Sequence, residues 1–325
     1  GKDIAFDEQT VVSARNFVNK LWNSTRFVLM NLPENPAPYR LDKLSQRRLE
    51  TADAWILSRY QSTLAKAQAS LDVYDPAAAA EALYVFLWDE FCAWYIELAK
   101  GRLLGAEGED KDIARTILVQ VLTGSLKALH PIMPFVTEEI YAALKPYAGE
   151  SAEFVLKGGY PKLDYDWSNP EAEKEMSQVM GAVASIRSLR SQLNVPPGLK
   201  IKAVAEGPFA QALIGKHRAY AMSLAQLESI EPINGGRPAQ SATAVADGVT
   251  FFIPLAGVID FAKERERLAK DLAKAEGDIE KCAAKLKNLS AAASAPAEKV
   301  AEARAQLDAA IARRDRLQET IAILS

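Results

Sequence analysis

The sequence predicts a mainly α-helical chain in three parts: a helical bundle, a small α/β subdomain and an antiparallel coiled-coil hairpin. Three observations lead to this prediction. Apolar residues recur with helical spacing through residues 1–150, short β-like runs lie within 151–258, and two heptad seams lie within 259–325. We therefore expect domain boundaries near residues 150 and 258.

The first part contains four or five helices joined by short connections, which is typical of a bundle. Pro33 stops the first helix, and Asp75 caps the helix that begins at Pro76. Pro146 is expected to end the last one. The predicted helices run from about Gln9 to Asn31, from Thr51 to Val73, from Pro76 to Lys100, from Asp110 to a break at Pro131 and Pro134, and on to Leu144.

The second part alternates β-like and helical segments, which predicts an antiparallel or mixed sheet. A helix at about 170–193 opens this part and could pack on the bundle. The sequence Ala246-Asp247-Gly248-Val249 is a hairpin signal, because Asp-Gly favours a tight two-residue turn. The predicted strands lie near 200–205, 227–233, 243–246 and 249–255, with a helical stretch at 208–225.

The third part predicts two helices that fold back on each other. Apolar residues from Leu268 to Leu289 alternate steps of four and three, and a second such series runs from Val300 to Leu324, with Arg314 where an apolar residue is due. Pro296 restarts the helix between the two series. Each arm would be about 40 Å long, and polar residues cover its other faces, so the hairpin could project.

Composition limits the kinds of function. The net charge is -3, so any RNA binding must come from local basic surfaces. Two cysteines and two histidines lie far apart without ligand spacing, which argues against a metal site or a disulfide framework. No apolar run is long enough to span a membrane, and the N-terminus lacks the layout of a signal peptide. We therefore expect a cytoplasmic protein.

No enzyme motif stands out. The sequence contains no Walker loop, no dinucleotide-binding glycine loop and no nucleophile elbow. We expect His130 to cap a kinked helix, and the aromatic residues Trp88, Phe91, Trp94 and Tyr95 to pack in the core. The chain is therefore expected to bind no cofactor and to catalyse no reaction.

The first helix carries the clearest candidate site. Ala14, Phe17, Val18, Leu21, Val28 and Leu32 fall on one face, which we expect in the core. No acidic residue occurs between Glu8 and Glu34, and an aromatic ring among Asn, Lys and Arg suits unpaired RNA bases. Two alternatives stay open: a solvated face, or one that packs on another domain. The candidate RNA contacts on the opposite face are Asn16, Asn19, Lys20, Asn23, Arg26 and Phe27.

A second acid-free stretch lies between Glu175 and Glu206. In it, Arg187 and Arg190 are three residues apart and share one face of a helix. The two guanidinium groups could grip RNA phosphates, or they could form a solvated basic helix end.

Four segments of the first part carry a family resemblance: Arg15–Phe27, Ala54–Arg59, Phe86–Tyr95 and Leu129–Ile140. They are similar to the helices of the anticodon-binding domain in the class I synthetases for Val, Ile and Leu. Ile253–Leu268 resembles the entry to the coiled-coil arm of the valine enzymes. The resemblance covers essentially the whole chain.

The resemblance implies that the bundle holds the anticodon of tRNA(Val) and that the arm packs on the outer corner of the tRNA. The HIGH-like and KMSKS-like signatures are not in this sequence, so the catalytic and editing domains would be other parts of the same polypeptide. The parent protein would use ATP and Mg²⁺ to join valine to its tRNA. The protein would be a monomer. The bend at Asn288–Pro296 lacks the aromatic and basic residues usual in the family. Alternatives are the corresponding part of an Ile or Leu enzyme, or a coiled-coil interaction module without RNA binding.

Overall fold

The structure is a computed structural model that describes residues 7–44, 47–162, 165–258, 261–291 and 297–323. It is mainly α-helical with one small sheet, so the predicted fold class is confirmed. The chain divides into two compact units, the first ending at Ser177 and the second beginning at Gln178. The domain boundaries near residues 150 and 258 stay a prediction.

The helices of the first unit follow the predicted order. Short 3₁₀ turns at Leu41–Leu44 and Val155–Lys157 lie in the connections. The helices are α1 (Glu8–Met30), α2 (Thr51–Asp72), α3 (Pro76–Val85), a π-helical segment (Phe86–Tyr95), α4 (Ile96–Leu103), α5 (Glu109–Leu129), α6 (Pro134–Ala148) and α7 (Pro170–Gln192), which continues into the second unit.

Helix α1 is fixed at both ends by polar contacts. The Asp7 carboxylate accepts a hydrogen bond from the Gln9 amide at 3.0 Å, which caps the first turn. At the other end, the Arg115 guanidinium donates to the Asn31 carbonyl at 2.7 Å. The buried residues of α1 are Phe17, Leu21, Thr25 and Val28, whereas Ala14, expected in the core, is exposed, and Val18 and Leu32 are half-buried.

The helix that begins at Pro76 is longer than predicted and changes its geometry midway. The Asp75 carboxylate accepts from the Ala78 amide, as an N-cap should. The chain then passes through the π-helical segment and α4 without a break, past the expected end near Lys100. Within the predicted aromatic core, Phe91 and Tyr95 are fully buried, whereas Trp88 and Trp94 are half-buried.

The sequence predicted that α6 ends before Pro146, and this prediction is wrong. The helix continues to Ala148 and ends at Gly149, whose φ of 70° is the left-handed conformation that glycine favours. The Gln120 side chain donates to the Ala148 carbonyl at 3.0 Å, which satisfies one acceptor in this last turn. His130 caps α5, and its Nδ1 lies 2.8 Å from the Thr137 hydroxyl, so the predicted capping role is confirmed.

A buried ion pair joins α2 to α4. Asp53, fully buried, accepts two hydrogen bonds from the Arg102 guanidinium at 2.7 and 2.6 Å. The Tyr95 hydroxyl donates to the same carboxylate at 2.8 Å. Burial alone would lower the pKa of Arg102, but its hydrogen bonds to Asp53 reverse that effect and raise it.

The second unit contains a mixed four-stranded sheet in the order β2-β1-β4-β3. Strands β1 and β2 are parallel, and the other pairs are antiparallel. The predicted hairpin is confirmed, since Ala246 pairs with Val249 and Gly248 has a φ of 73°. The elements are β1 (Ile201–Glu206), α8 (Ala210–Lys216), α9 (Arg218–Ala225), β2 (Leu227–Pro232), β3 (Ser241–Ala246) and β4 (Val249–Pro254).

The predicted coiled-coil hairpin consists of α10 (Phe261–Ala291) and α11 (Ala297–Ile323). Asp278 on α10 lies 3.8 Å from Arg313 on α11. Seven residues later on α10, Lys285 donates a hydrogen bond to Gln306, which lies seven residues earlier than Arg313 on α11. The helices are therefore antiparallel. Residues 292–296 of the bend lie outside the described residues. Among the helices in the described ranges, none is long and apolar enough to cross a membrane.

Candidate nucleic-acid interface

The polar face of α1 is accessible in the structure. Asn16, Asn19, Asn23 and Arg26 are exposed, and their amide and guanidinium groups can serve bases and phosphates. Lys20 and Phe27 are half-buried on the same helix. We call these six residues the α1 polar face.

Lys20 has a structural contact that the sequence did not indicate. Its ammonium donates to the main-chain carbonyl of Trp88 at 2.8 Å and lies 4.0 Å from the centre of the Trp88 ring. Both contacts attach α1 to the π-helical segment. An ammonium has three donors, so one bond to Trp88 does not use its full capacity. Lys20 therefore positions α1 whether or not it also meets RNA.

Phe27 has a basic neighbour from a different helix. The Lys100 ammonium on α4 lies 5.5 Å from the centre of the Phe27 ring, within the range of a cation–π contact. It also forms an ion pair with Glu97 at 2.6 Å. Sequence reasoning missed Lys100, because nothing in the sequence indicates that α1 and α4 bring residues 27 and 100 together.

Aromatic rings extend from this face into the bundle. Tyr84 stacks on Trp88 with ring centres 5.8 Å apart, and both rings lie near Phe17 in the core. Cys92 is buried in the same region, and its burial raises the pKa of the thiol. The thiol is therefore neutral near pH 7 and contributes packing and no charge to this face.

The two arginines of α7 differ in their accessibility. Arg187 is exposed, although its Nε donates to the Leu224 carbonyl at 2.8 Å. Arg190 is only 7% exposed, and its guanidinium donates to the carbonyls of Gln226, Pro196 and Leu199 at 3.2, 3.0 and 2.8 Å. Arg190 thus organises the backbone after α7, and these hydrogen bonds occupy its guanidinium. Phosphate binding by Arg187 stays a prediction.

Known families match most of the chain. The anticodon-binding domain of tRNA ligase matches residues 53–205, and the valyl tRNA synthetase tRNA binding arm matches residues 260–325. A valine–tRNA ligase of Carboxydothermus hydrogenoformans is 42% identical over 329 residues, which cover 100% of this chain and 36% of that protein. The chain belongs to the valyl-tRNA synthetase family. It corresponds to the C-terminal, tRNA-binding part of a valyl-tRNA synthetase.

Other relatives agree on the extent of the match. The valine–tRNA ligase of Geobacter sulfurreducens is 38% identical over 94% of this chain and 34% of that protein. The enzyme of Thermotoga maritima is 34% identical over 100% of this chain and 35% of that protein. The chain thus spans about a third of the length of the curated relatives it matches. The match to the valyl-tRNA synthetase relatives includes α1, which precedes the segment matched as an anticodon-binding domain.

Proposed function

We propose that this chain holds tRNA(Val) while a catalytic domain of the same polypeptide carries out the ATP-dependent joining of valine. In this proposal the chain positions the RNA and forms no covalent bond itself. The observation that carries the proposal is the α1 polar face. Four of its six residues are exposed, it has basic but no acidic side chains, and it precedes a matched anticodon-binding domain in the sequence.

The chemistry of this face suits an anticodon loop. The exposed amides of Asn16, Asn19 and Asn23 can pair with the edges of unpaired bases, and Arg26 can meet a phosphate. Phe27 offers a ring on which a base can stack. No acidic residue of α1 after Glu8 opposes this contact, although the whole chain carries a net charge of -3.

The hairpin of α10 and α11 adds a second basic surface. Its outer half carries Lys281, Lys285 and Lys287, which are all exposed, and no acidic residue occurs between Glu280 and Glu298. These side chains suit contacts with phosphates, which position an RNA without reading its sequence. We further propose that the chain acts as a monomer in the cytoplasm and needs no cofactor, since ATP and Mg²⁺ belong to the catalytic step.

Binding of an isolated anticodon stem-loop of valine tRNA tests the proposal directly. We expect the unchanged chain to bind it and Arg26→Ala to weaken binding about fivefold, because one charge-assisted contact is lost. Arg218→Ala is the matched control. The Arg218 side chain, in the second unit, is 42% exposed and pairs with Glu231 at 2.7 Å, and its loss should leave affinity unchanged.

Two outcomes would contradict this proposal. Equal weakening by Arg26→Ala and Arg218→Ala would mean that only the overall charge matters. A chain that doubles its mass with concentration and binds no RNA would instead be a coiled-coil interaction module.

A further inference from the structure

Lys100 and Phe27 form a composite surface from two helices that are distant in sequence. The Lys100 ammonium lies 5.5 Å from the centre of the Phe27 ring. Both side chains are half-buried, and the Lys100 side chain keeps 40% of its surface exposed. A ring can stack with a base and an ammonium can bind a phosphate, and these are two groups of one nucleotide.

The ammonium retains hydrogen-bonding capacity. Within the part of the chain that the structure describes, Glu97 is the acceptor that it reaches, at 2.6 Å. A lysine ammonium has three donors, so one bond leaves two for other acceptors. The Glu97 side chain is itself 39% exposed, so solvent weakens this ion pair and a phosphate can compete with it.

We propose that Lys100 binds the phosphate of the nucleotide whose base stacks on Phe27, and that Glu97 competes with this phosphate for the ammonium. This inference rests on the proposed function, since it names a further contact for the same RNA. It makes α4 part of the RNA-binding surface. It also assigns Glu97 a modulating role, because its carboxylate must share the ammonium with the RNA.

The first test compares Lys100→Met with Lys66→Met in titrations with the valine anticodon stem-loop at several salt concentrations. Lys66 is an exposed lysine on α2, so its replacement removes the same charge elsewhere. Lys100→Met should weaken binding about fivefold. It should also reduce the slope of log K against log salt by about 0.7, the value for one phosphate of a single strand. Lys100→Arg should restore most of the affinity and the slope, and Lys66→Met should change neither.

A second variant predicts a change in the opposite direction. Glu97→Gln removes the competing carboxylate, so binding of the stem-loop should strengthen about twofold. A merely structural ion pair between Glu97 and Lys100 would not give this gain. Stem-loops with one neutral methylphosphonate linkage then locate the contact: at the correct linkage, Lys100→Met should cause no further loss.

Each outcome separates the two proposals. If the unchanged chain binds the stem-loop but Lys100→Met and Glu97→Gln leave affinity and salt slope unchanged, Lys100 is not an RNA contact and the proposed function stands. If the unchanged chain does not bind the stem-loop, both proposals are wrong. Should Lys100→Met fail to fold, the gain expected for Glu97→Gln decides the inference alone.

Discussion

Among the glycines that the structure describes in the first unit, Gly124 is the one where an added Cβ atom would come nearest to another atom. A Cβ atom built at this position of α5 would lie 1.6 Å from the Tyr60 hydroxyl and 2.8 Å from the ring carbon that carries it. Tyr60 is itself buried on α2. We therefore expect Gly124→Ala to lower the free energy of unfolding by about 1–3 kcal/mol, as measured by denaturant titration.

Gly101 provides the matched control for this substitution. It also lies inside a helix of the first unit, α4, but a Cβ atom there would meet nothing within 4 Å. Gly101→Ala should raise the free energy of unfolding by about 0.5–1 kcal/mol, because alanine loses less backbone entropy in a helix. A similar effect of the two substitutions would show that helix propensity, and not the contact with Tyr60, determines the result.

Individual side chains mark the limit of what the sequence could predict. The helical spacing of apolar residues in α1 correctly predicted that Asn16, Asn19 and Arg26 lie on the exposed face, since this spacing decides which side faces the core. It could not show that Arg190 is buried among backbone carbonyls or that Lys100 lies beside Phe27. Those contacts depend on how separate elements meet, which periodicity does not encode.

At the scale of elements, the Asp53–Arg102 pair holds α2 and α4 together inside the first unit. Asp53→Asn removes the buried carboxylate charge. The Arg102 guanidinium, whose side chain is only 11% exposed, then has the partly exposed Glu50 carboxylate at 3.8 Å as its counter-ion. Loss of one partner of a buried pair costs about 3–5 kcal/mol. We expect that decrease in the free energy of unfolding by chemical denaturation.

An exposed pair in the same unit serves as the control. Asp42 lies 3.0 Å from Arg40, and their side chains are 37% and 62% exposed. Asp42→Asn should leave the free energy of unfolding nearly unchanged, because solvent already screens the two charges. If Asp53→Asn has an equally small effect, the buried network does not hold these elements together.

Most elements were predictable because local signals agree with the fold. Asp75 before Pro76 fixed the start of one helix, and the heptad series fixed the two helices of the hairpin. The π-helical segment was not predictable, since the spacing of Trp88, Phe91 and Tyr95 fits an α-helix equally well. The prediction at Pro146 was wrong because a proline near the end of a helix removes a single helical hydrogen bond, and α6 continues for only two residues beyond it.

For the whole molecule, two RNA-binding parts of one family account for the chain's organisation. The anticodon-binding match lies mostly in the first unit, and the matched arm lies in the second. A net charge of -3 means that the chain as a whole cannot bind RNA through bulk charge. Affinity should therefore come from the α1 polar face and from the lysines of α10, and each should add to the salt dependence of binding.

The most direct test of the central claim is a titration of the chain with full-length valine tRNA at two salt concentrations, repeated with the same tRNA carrying a changed anticodon. We expect binding that weakens as salt rises and weakens again when the anticodon is changed. Equal binding to both tRNAs would contradict anticodon reading. It would mean that the chain recognises only the shape and the phosphates of the tRNA. No binding to either would contradict the claim that this chain holds tRNA by itself.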